Sequence, residues 1–472
     1  MTEGYSDMGE IGETNAIVIG GSIAGLLAAK VLTAHFDRVT IIERDVLHDV
    51  RGHRRGVPHG RHAHALLAGG QNVVEKLFPG FTQAIVNDGA LLADTAKDGG
   101  WFIEGDFLKR AETGEYSISL SRPFLESRIR EKVIQTRGIE IVEGLAVRGL
   151  ELMKGRVTGV EIDDGVLSAD LVVDASGRGS QTPKWLETHG YERPAEERIE
   201  VQLAYTTRHF RRRQDHFNGD VFLAIPRTAD GRGGVALAQE GDRWIVTLFG
   251  YFGKNAPEDI DGFREYARLL PTPVLYEMIR DAEPLDEAST FKFPASARRR
   301  YERLKKFPDG LLTFGDAICS FNPIFGQGMS AAAMQANVLS KELKKGTKSL
   351  GKRFFRSAAR VIDGPWNIAV GSDLKMPQTV GERNAMTKFF NWYIEKLHKT
   401  AHTNAAATRC FIRVAQLLDP PTAVLSPTIA LRVFAKTIST NTGSAFNLRS
   451  SSLFSRRDGS SSHDERERAE SV

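Results

Sequence analysis

Ile17–Asp45 reads IVIGGSIAGLLAAKVLTAHFDRVTIIERD. An apolar run, Ile17–Ile19, meets a turn of small residues. An Ala/Leu-rich stretch with helical spacing follows, then a second apolar run that ends at Glu43. The pattern is strand–helix–strand, and Gly20, Ser22 and Gly25 fall at the GxGxxG positions of a dinucleotide-binding turn. Gly20 permits the tight turn. Ser22 sits where the backbone must approach a pyrophosphate, Ala24 belongs to the same small-residue turn, and Gly25 lets the helix pack close to the strand. The open helix N-terminus offers N–H groups and a partial positive charge to phosphates. Glu43, followed by Arg44, ends the second strand, where an acid hydrogen-bonds the ribose hydroxyls of an unphosphorylated adenosine.

The bulk numbers place this unit in an ordinary globular chain. A length of 472 residues is enough for two lobes, and 41% hydrophobic with 26% charged residues is typical of one. A net charge of +4, from 63 basic and 59 acidic residues, is too balanced for a nucleic-acid partner. Two cysteines, Cys319 and Cys410, cannot make a disulfide framework or a zinc site, and they fit a reducing compartment. The first residues lack a basic and apolar signal pattern and no long apolar run occurs, so the expectation is a cytoplasmic protein without a transmembrane segment.

Beyond Asp45 the chain reads RGHRRGVPHGRHAHALLAGG over 51–70, a basic loop expected to turn helical from about Ala63. Arg54, Arg55 and Arg61 suit phosphate contact because they follow the dinucleotide unit; a solvated loop is the alternative. His62 and His64 have no acid or third histidine at helical spacing, so no metal is assigned. Residues 115–135 predict a strand and a helix, with Ser121 as N-cap, Arg122 at the helix start and Pro123 in the first turn. Ile139–Glu143 and the stretch before DASGRGS (174–180) read as further strands. From 200 to 252 strands follow one another without helices, which predicts an antiparallel sheet inserted as a second lobe. The basic runs Arg211–Arg213, Arg298–Arg300 and Lys305–Lys306 read as solvated faces, the alternative being a docking patch for an acidic partner. Residues 350–440 have helical spacing broken by Pro420, Pro421 and Pro427, whereas 1–14 and 449–472 read as disordered.

Three separated pieces carry a family likeness: GGSIAG with Glu43-Arg44, DASGRGS, and Gly315-Asp316 followed by Pro323, Gly326, Gly328 and Met329. Together they resemble the FAD-dependent monooxygenases of the para-hydroxybenzoate-hydroxylase superfamily, which includes squalene epoxidase and bacterial polyether-antibiotic epoxidases. The resemblance implies that Asp316 contacts the ribityl or ribose region of FAD. It also implies that Gly328 and Met329, at a helix N-terminus, lie under the flavin pyrimidine ring. Arg61 and Arg122 take the positions of arginines that contact FAD phosphate or the flavin edge, and Val147 that of a backbone contact to adenine. The implied architecture is an α/β chain: a Rossmann-like FAD-binding domain (15–198 and 301–350), an inserted antiparallel β-rich substrate domain (199–300) and a helical C-terminal region (351–448), before the tail over 449–472.

The implied activity is oxygen insertion, epoxidation or hydroxylation, into an apolar small molecule such as a polyene, terpenoid or polyketide, with dioxygen and a flavin hydroperoxide. No catalytic side chain is assigned, since the cofactor carries the chemistry. Ser176 stands where the superfamily has an aspartate before glycine, which leaves the electron donor open between NAD(P)H and a separate flavin reductase. The alternatives are a reductase or dehydrogenase of the geranylgeranyl-reductase type, a flavin halogenase, and a non-catalytic FAD-stabilised protein with peripheral membrane contact through 424–440. The WxWxIP signature of halogenases is missing: Trp101, Trp185, Trp244, Trp366 and Trp392 are isolated.

Overall fold

The computed structural model describes residues 14–47, 52–213 and 216–437. The expectations for the leader before Thr14, for the last part of the helical region (438–448) and for the tail over 449–472 fall outside the described residues. The opening unit folds as β1 (Asn15–Ile19), α1 (Ile23–Leu32) and β2 (Arg38–Glu43). The chain continues through α2 (Ala68–Leu77), β3 (Gly99–Ile103), α3 (Arg122–Ile134), β4 (Ile139–Glu143) and β5 (Leu171–Asp174). A β-rich stretch supplies β6 (Glu196–Arg211), β7 (Phe222–Ile225), β8 (Arg232–Gln239), β9 (Arg243–Tyr251) and β10 (Ser289–Arg299). Then come β11 (Leu311–Thr313), β12 (Cys319–Ser320), α4 (Gly328–Leu343), α5 (Leu350–Asp373), α6 (Ala385–Ala401) and α7 (Ala405–Ala415). Residues up to Val424 make one unit; from Leu425 a second begins, in which 427–437 are helical.

Five strands form a parallel sheet in the order β11-β5-β1-β2-β4, with Ile17 opposite both Val172 and Thr40. Their near-continuous apolar runs suit a sheet covered on both faces. The chain leaves β1 for β2 on one side and later returns to β5 on the other. A crevice therefore opens at the carboxyl ends of these two neighbours, where such sheets bind ligands.

The second sheet has eight strands, ordered β12-β10-β6-β9-β8-β7-β3 and then the short Asp106–Phe107 strand. It extends the expected lobe over 199–300 at both edges, because β3 and β12 come from outside that range. It is antiparallel as anticipated, except that β7 runs parallel to β3. Period-two alternation gives it two apolar faces. In β9, Trp244, Val246 and Leu248 pack with Phe210 and Phe263 in one core, whereas Phe249 and Tyr251 face the opposite way with Tyr205 and Phe293.

Two expectations need correction. The helix anticipated from about Ala63 starts at Ala68. Residues 62–67 stay outside the helix because tertiary partners hold them: the Ala63 N–H donates to Thr247 Oγ1 (3.2 Å) and the Leu67 N–H to Ser330 Oγ (2.9 Å). Nor is Arg298–Arg300 a solvated run. Strand alternation turns Arg298 inward, where it is fully buried and paired with Asp363 at 2.7 Å.

A tight backbone constraint lies in the opening unit. A Cβ on Gly25 would stand 1.8 Å from the Gly20 carbonyl oxygen, a backbone atom that cannot swing away. Gly25→Ala should therefore destabilise the protein by about 1–3 kcal/mol, the usual range for overpacking. Urea unfolding without added cofactor, compared with Leu32→Met as a volume-conserving control in the same helix, measures it.

Candidate functional site

The carboxyl ends of β1, β2, β5 and β11 each hand the chain to a segment that lines one cavity of about 1520 Å³. After β1, Gly20 has φ +104°, and a Cβ there would lie 2.8 Å from the Ala175 carbonyl oxygen, so only glycine fits. The Gly21 N–H donates to Glu43 Oε2 at 2.7 Å. Ser22 holds the N-cap position of α1 but makes no cap bond with its side chain. Instead its hydroxyl donates to Glu126 Oε2 (2.9 Å) and accepts from Arg122 Nη2 (2.7 Å). The serine in place of the second glycine thus ties α1 to α3.

Around it lies a buried charge cluster. Arg54 Nη1 stands 3.1 Å from Glu43 and 3.2 Å from Asp45, and its Nε is 2.8 Å from Glu126. Arg122 and Arg130, one turn on either side of Glu126 along α3, complete it at 2.7 and 3.1 Å. Burial alone would raise the Glu126 carboxyl; Arg122, Arg54 and Arg130 instead pull it down to about 2. Three acids and three arginines balance, yet Arg54 Nη2 and Arg122 Nε meet no acceptor among the described residues. Both arginines line the cavity. Spare donors beside an open helix N-terminus suit a pyrophosphate.

After β5, Asp174 is fully buried and accepts from the Ser176 N–H (2.9 Å) and from the hydroxyls of Ser176, Ser180 and Thr182. This ring of hydroxyls fixes the glycine turn that follows. Arg178 leaves it to lie over the Phe293 ring at 4.5 Å, joining the parallel sheet to the large one. After β11, Gly315 (φ +65°) donates its N–H to Gln335 Oε1 at 2.9 Å, and Asp316 faces the cavity. Burial raises the Asp316 carboxyl to about 6, against the pull of Arg122 and Arg178. Asn322 caps the Pro323–Phe325 turn by accepting the Ile324 N–H, and Gly326 (φ +63°) leads into α4. A Cβ on Gly328 would be 3.8 Å from Asp316 Oδ1, so this carboxyl lies at the N-terminus of α4.

The cavity brings together Gly20, Ser22, Ala24, Glu43, Arg44, Arg122, Val147, Asp316, Gly328 and Met329 of the sequence-derived set. Gly25 is buried behind the turn in its packing role. Arg61 is exposed and outside the lining, and Arg54 of the same loop takes the interior place instead. Nothing in the motif separates the two; the loop's path decides. His59, His62 and His64, which the sequence suggests as part of a cationic patch with the loop arginines, instead form a buried wall of the cavity. His62 Nδ1 lies 2.8 Å from Thr207 Oγ1, and His59 Nδ1 lies 3.1 Å from His64 Nε2. Burial holds His59 and His62 neutral, down to about 4 and about 3.

The fit of a flavin dinucleotide to these residues is good. Two helix N-termini, α1 and α4, open on one cavity, which exceeds the 300–1,000 Å³ or so of a single-ligand site and so has room for a second molecule. Because folding lowers the Glu126 carboxyl, its contribution is complete above the unfolded value near 4.5. It is lost as pH falls through about 2. Glu126→Gln should cost about 3–5 kcal/mol at pH 7 by leaving three buried arginines short of charge, and should flatten the acid limb of stability between those limits. Denaturant unfolding across pH checks both.

No protein-family model matches the chain. Protein Rv3254 of Mycobacterium tuberculosis is 32% identical over 432 residues, covering 86% of this chain and 90% of its own length. Among solved structures, a flavoprotein/dehydrogenase from Cytophaga hutchinsonii superposes with a TM-score of 0.65 at 16% identity, over 91% of this chain and 99% of its own. The flavin-dependent brominase Bmp2 gives 0.61 at 15% identity, over 91% and 100%. PqsL of Pseudomonas aeruginosa, a probable FAD-dependent monooxygenase, gives 0.56 at 18%, over 85% and 99%. With the strand order, the carboxyl-edge turns and the paired helix N-termini, these likenesses give one conclusion: the chain has the fold of the flavin-dependent monooxygenases and halogenases and belongs to the family of protein Rv3254.

Proposed function

We propose that the protein is an FAD-dependent monooxygenase that inserts oxygen into an apolar small molecule such as a polyene, terpenoid or polyketide. The observation that carries this is the continuity of the cavity. It runs from the charged carboxyl edge of the parallel sheet onto the aromatic face of the large sheet, past Tyr205, Phe249 and Phe291. A polar nucleotide half and a water-poor substrate half are thereby joined.

When bound, the flavin would supply the transfer of electrons to dioxygen. The chain supplies the setting. Gly20, Ser22, Arg54 and Arg122 would hold the pyrophosphate, Glu43 and Arg44 the adenosine ribose, and Val147 the adenine. Asp316 would take the ribityl hydroxyls. The first turn of α4, at Gly328 and Met329, would hold negative charge on the ring, as a helix N-terminus does. Aromatic side chains of the large sheet exclude water from the reacting region. Electrons would come from NAD(P)H or a separate flavin reductase.

Asp316→Ala should loosen FAD about tenfold or more, the worth of a hydrogen bond to a charged group, read by recovery of flavin fluorescence on dilution. Photoreduced holoenzyme given ¹⁸O₂ and a polyene or terpenoid panel should place one labelled oxygen in the product. A dehydrogenase or reductase using the same flavin is the second reading, favoured by the description of the Cytophaga hutchinsonii neighbour. Turnover of the same substrates under argon would replace the first reading with the second.

A further inference from the structure

The floor of the cavity crosses the large sheet. Lining residues come from every strand between β12 and β3, a run on the order of 25–30 Å at the usual strand spacing. At the β3 end the wall is aromatic. Trp101 meets Phe411 edge-on with ring centroids 6.2 Å apart, and Phe411 meets His398 in the same way at 4.6 Å. His398 lies on α6, lines the cavity and is only 8% exposed. Neither of its ring nitrogens has a hydrogen-bond partner among the described residues. A neutral imidazole carries one donor and one acceptor, and buried polar groups are ordinarily satisfied. Burial, with Lys375 and His402 nearby, holds it neutral, at about 3.

Lys375 lines the same stretch of wall. Its ammonium reaches Glu104 at 3.8 Å, beyond hydrogen-bond distance, and burial lowers it despite the Glu104 and Glu395 charges. Asp363, another charged lining residue of the helical wall, is already paired with Arg298 at 2.7 Å. One end of an apolar cavity thus holds an underused cation beside an imidazole with both nitrogens unmet.

We propose that Lys375 and His398 form a head-group subsite for a carboxylate, and that the substrate is an elongated apolar acid, such as a polyenoic or terpenoid carboxylic acid. This rests on the reading of the cavity as a substrate site. The carboxylate accepts from the Lys375 ammonium and from the His398 N–H, while its chain lies along the aromatic floor. A fixed head then sets which carbon of the chain reaches the flavin end.

Calorimetric titration of the holoenzyme with farnesoic acid and with farnesol, which share one isoprenoid body, tests it. The acid should bind about tenfold or more tightly than the alcohol, the worth of a charge-assisted hydrogen bond. Lys375→Met and His398→Phe should each remove that preference and leave farnesol affinity within about twofold. Lys375→Arg and His398→Gln, which keep donors, should retain it. His398→Phe should also raise Tm by about 1–2 °C without ligand, since an unmet buried polar group is gone. Equal binding of acid and alcohol, or variants that weaken both alike, would overturn the subsite while the apolar cavity stands. Binding of neither overturns both. A preference for the acid without any use of dioxygen keeps the subsite and defeats the monooxygenase reading.

Discussion

Glu126 is the point through which the site is held. Its carboxylate, 6% exposed, binds Arg54 from the loop after β2, Arg122 and Arg130 from its own helix, and the Ser22 hydroxyl at the start of α1. A lone carboxylate so deeply placed would cost several kcal/mol in lost hydration. Three guanidinium groups with hydrogen-bonding geometry offset that and keep it ionised. Three chain segments distant in sequence are therefore locked at the rim where β1 and β2 end. The cluster is internally neutral, so positive potential at this rim comes from the α1 N-terminus and from the donors that Arg54 and Arg122 leave over.

The large sheet answers a different requirement. One of its faces must pack against helices to fold, and the other must stay apolar without being filled. Period-two alternation supplies both from the same strands: Trp244, Val246 and Leu248 go to the packed core, and Thr247 and Phe249 to the cavity. The edges of the sheet come from elsewhere in the chain. β12 leads directly into the Asn322–Gly326 loop, and β3 brings Trp101 beside α7. The sheet is thereby stitched to the loop that leads into α4 at one margin and to the helical wall near the other.

Polar groups within the cavity divide in the same way. At the carboxyl edge of the parallel sheet the charged ones pair with one another. Beside the large sheet the floor is mostly aromatic and aliphatic, and a low-dielectric surrounding strengthens every polar contact that is made and raises the cost of any that is not. His398 and Lys375 stand out there for that reason.

The amino-acid sequence by itself determined the opening strand–helix–strand, the glycine positions and the far Asp316–Met329 segment. These depend on local backbone demands: a positive φ at Gly20, a missing side chain at Gly25, a helix N-terminus after Gly326. Apolar runs likewise fixed the parallel strands, and alternation fixed the β-rich stretch. Tertiary structure alone decided what depended on long-range approach. It chose Arg54 over Arg61 for the interior, turned Arg298 from an apparent surface run into a buried ion pair, and delayed α2 until Ala68 by giving residues 62–67 partners on the large sheet and on α4. It also brought Lys375 and His398, more than forty residues beyond the last motif residue in the one case and nearly seventy in the other, to the same cavity as Gly20. A side chain's burial and partners are properties of packed surfaces, and no local pattern encodes them.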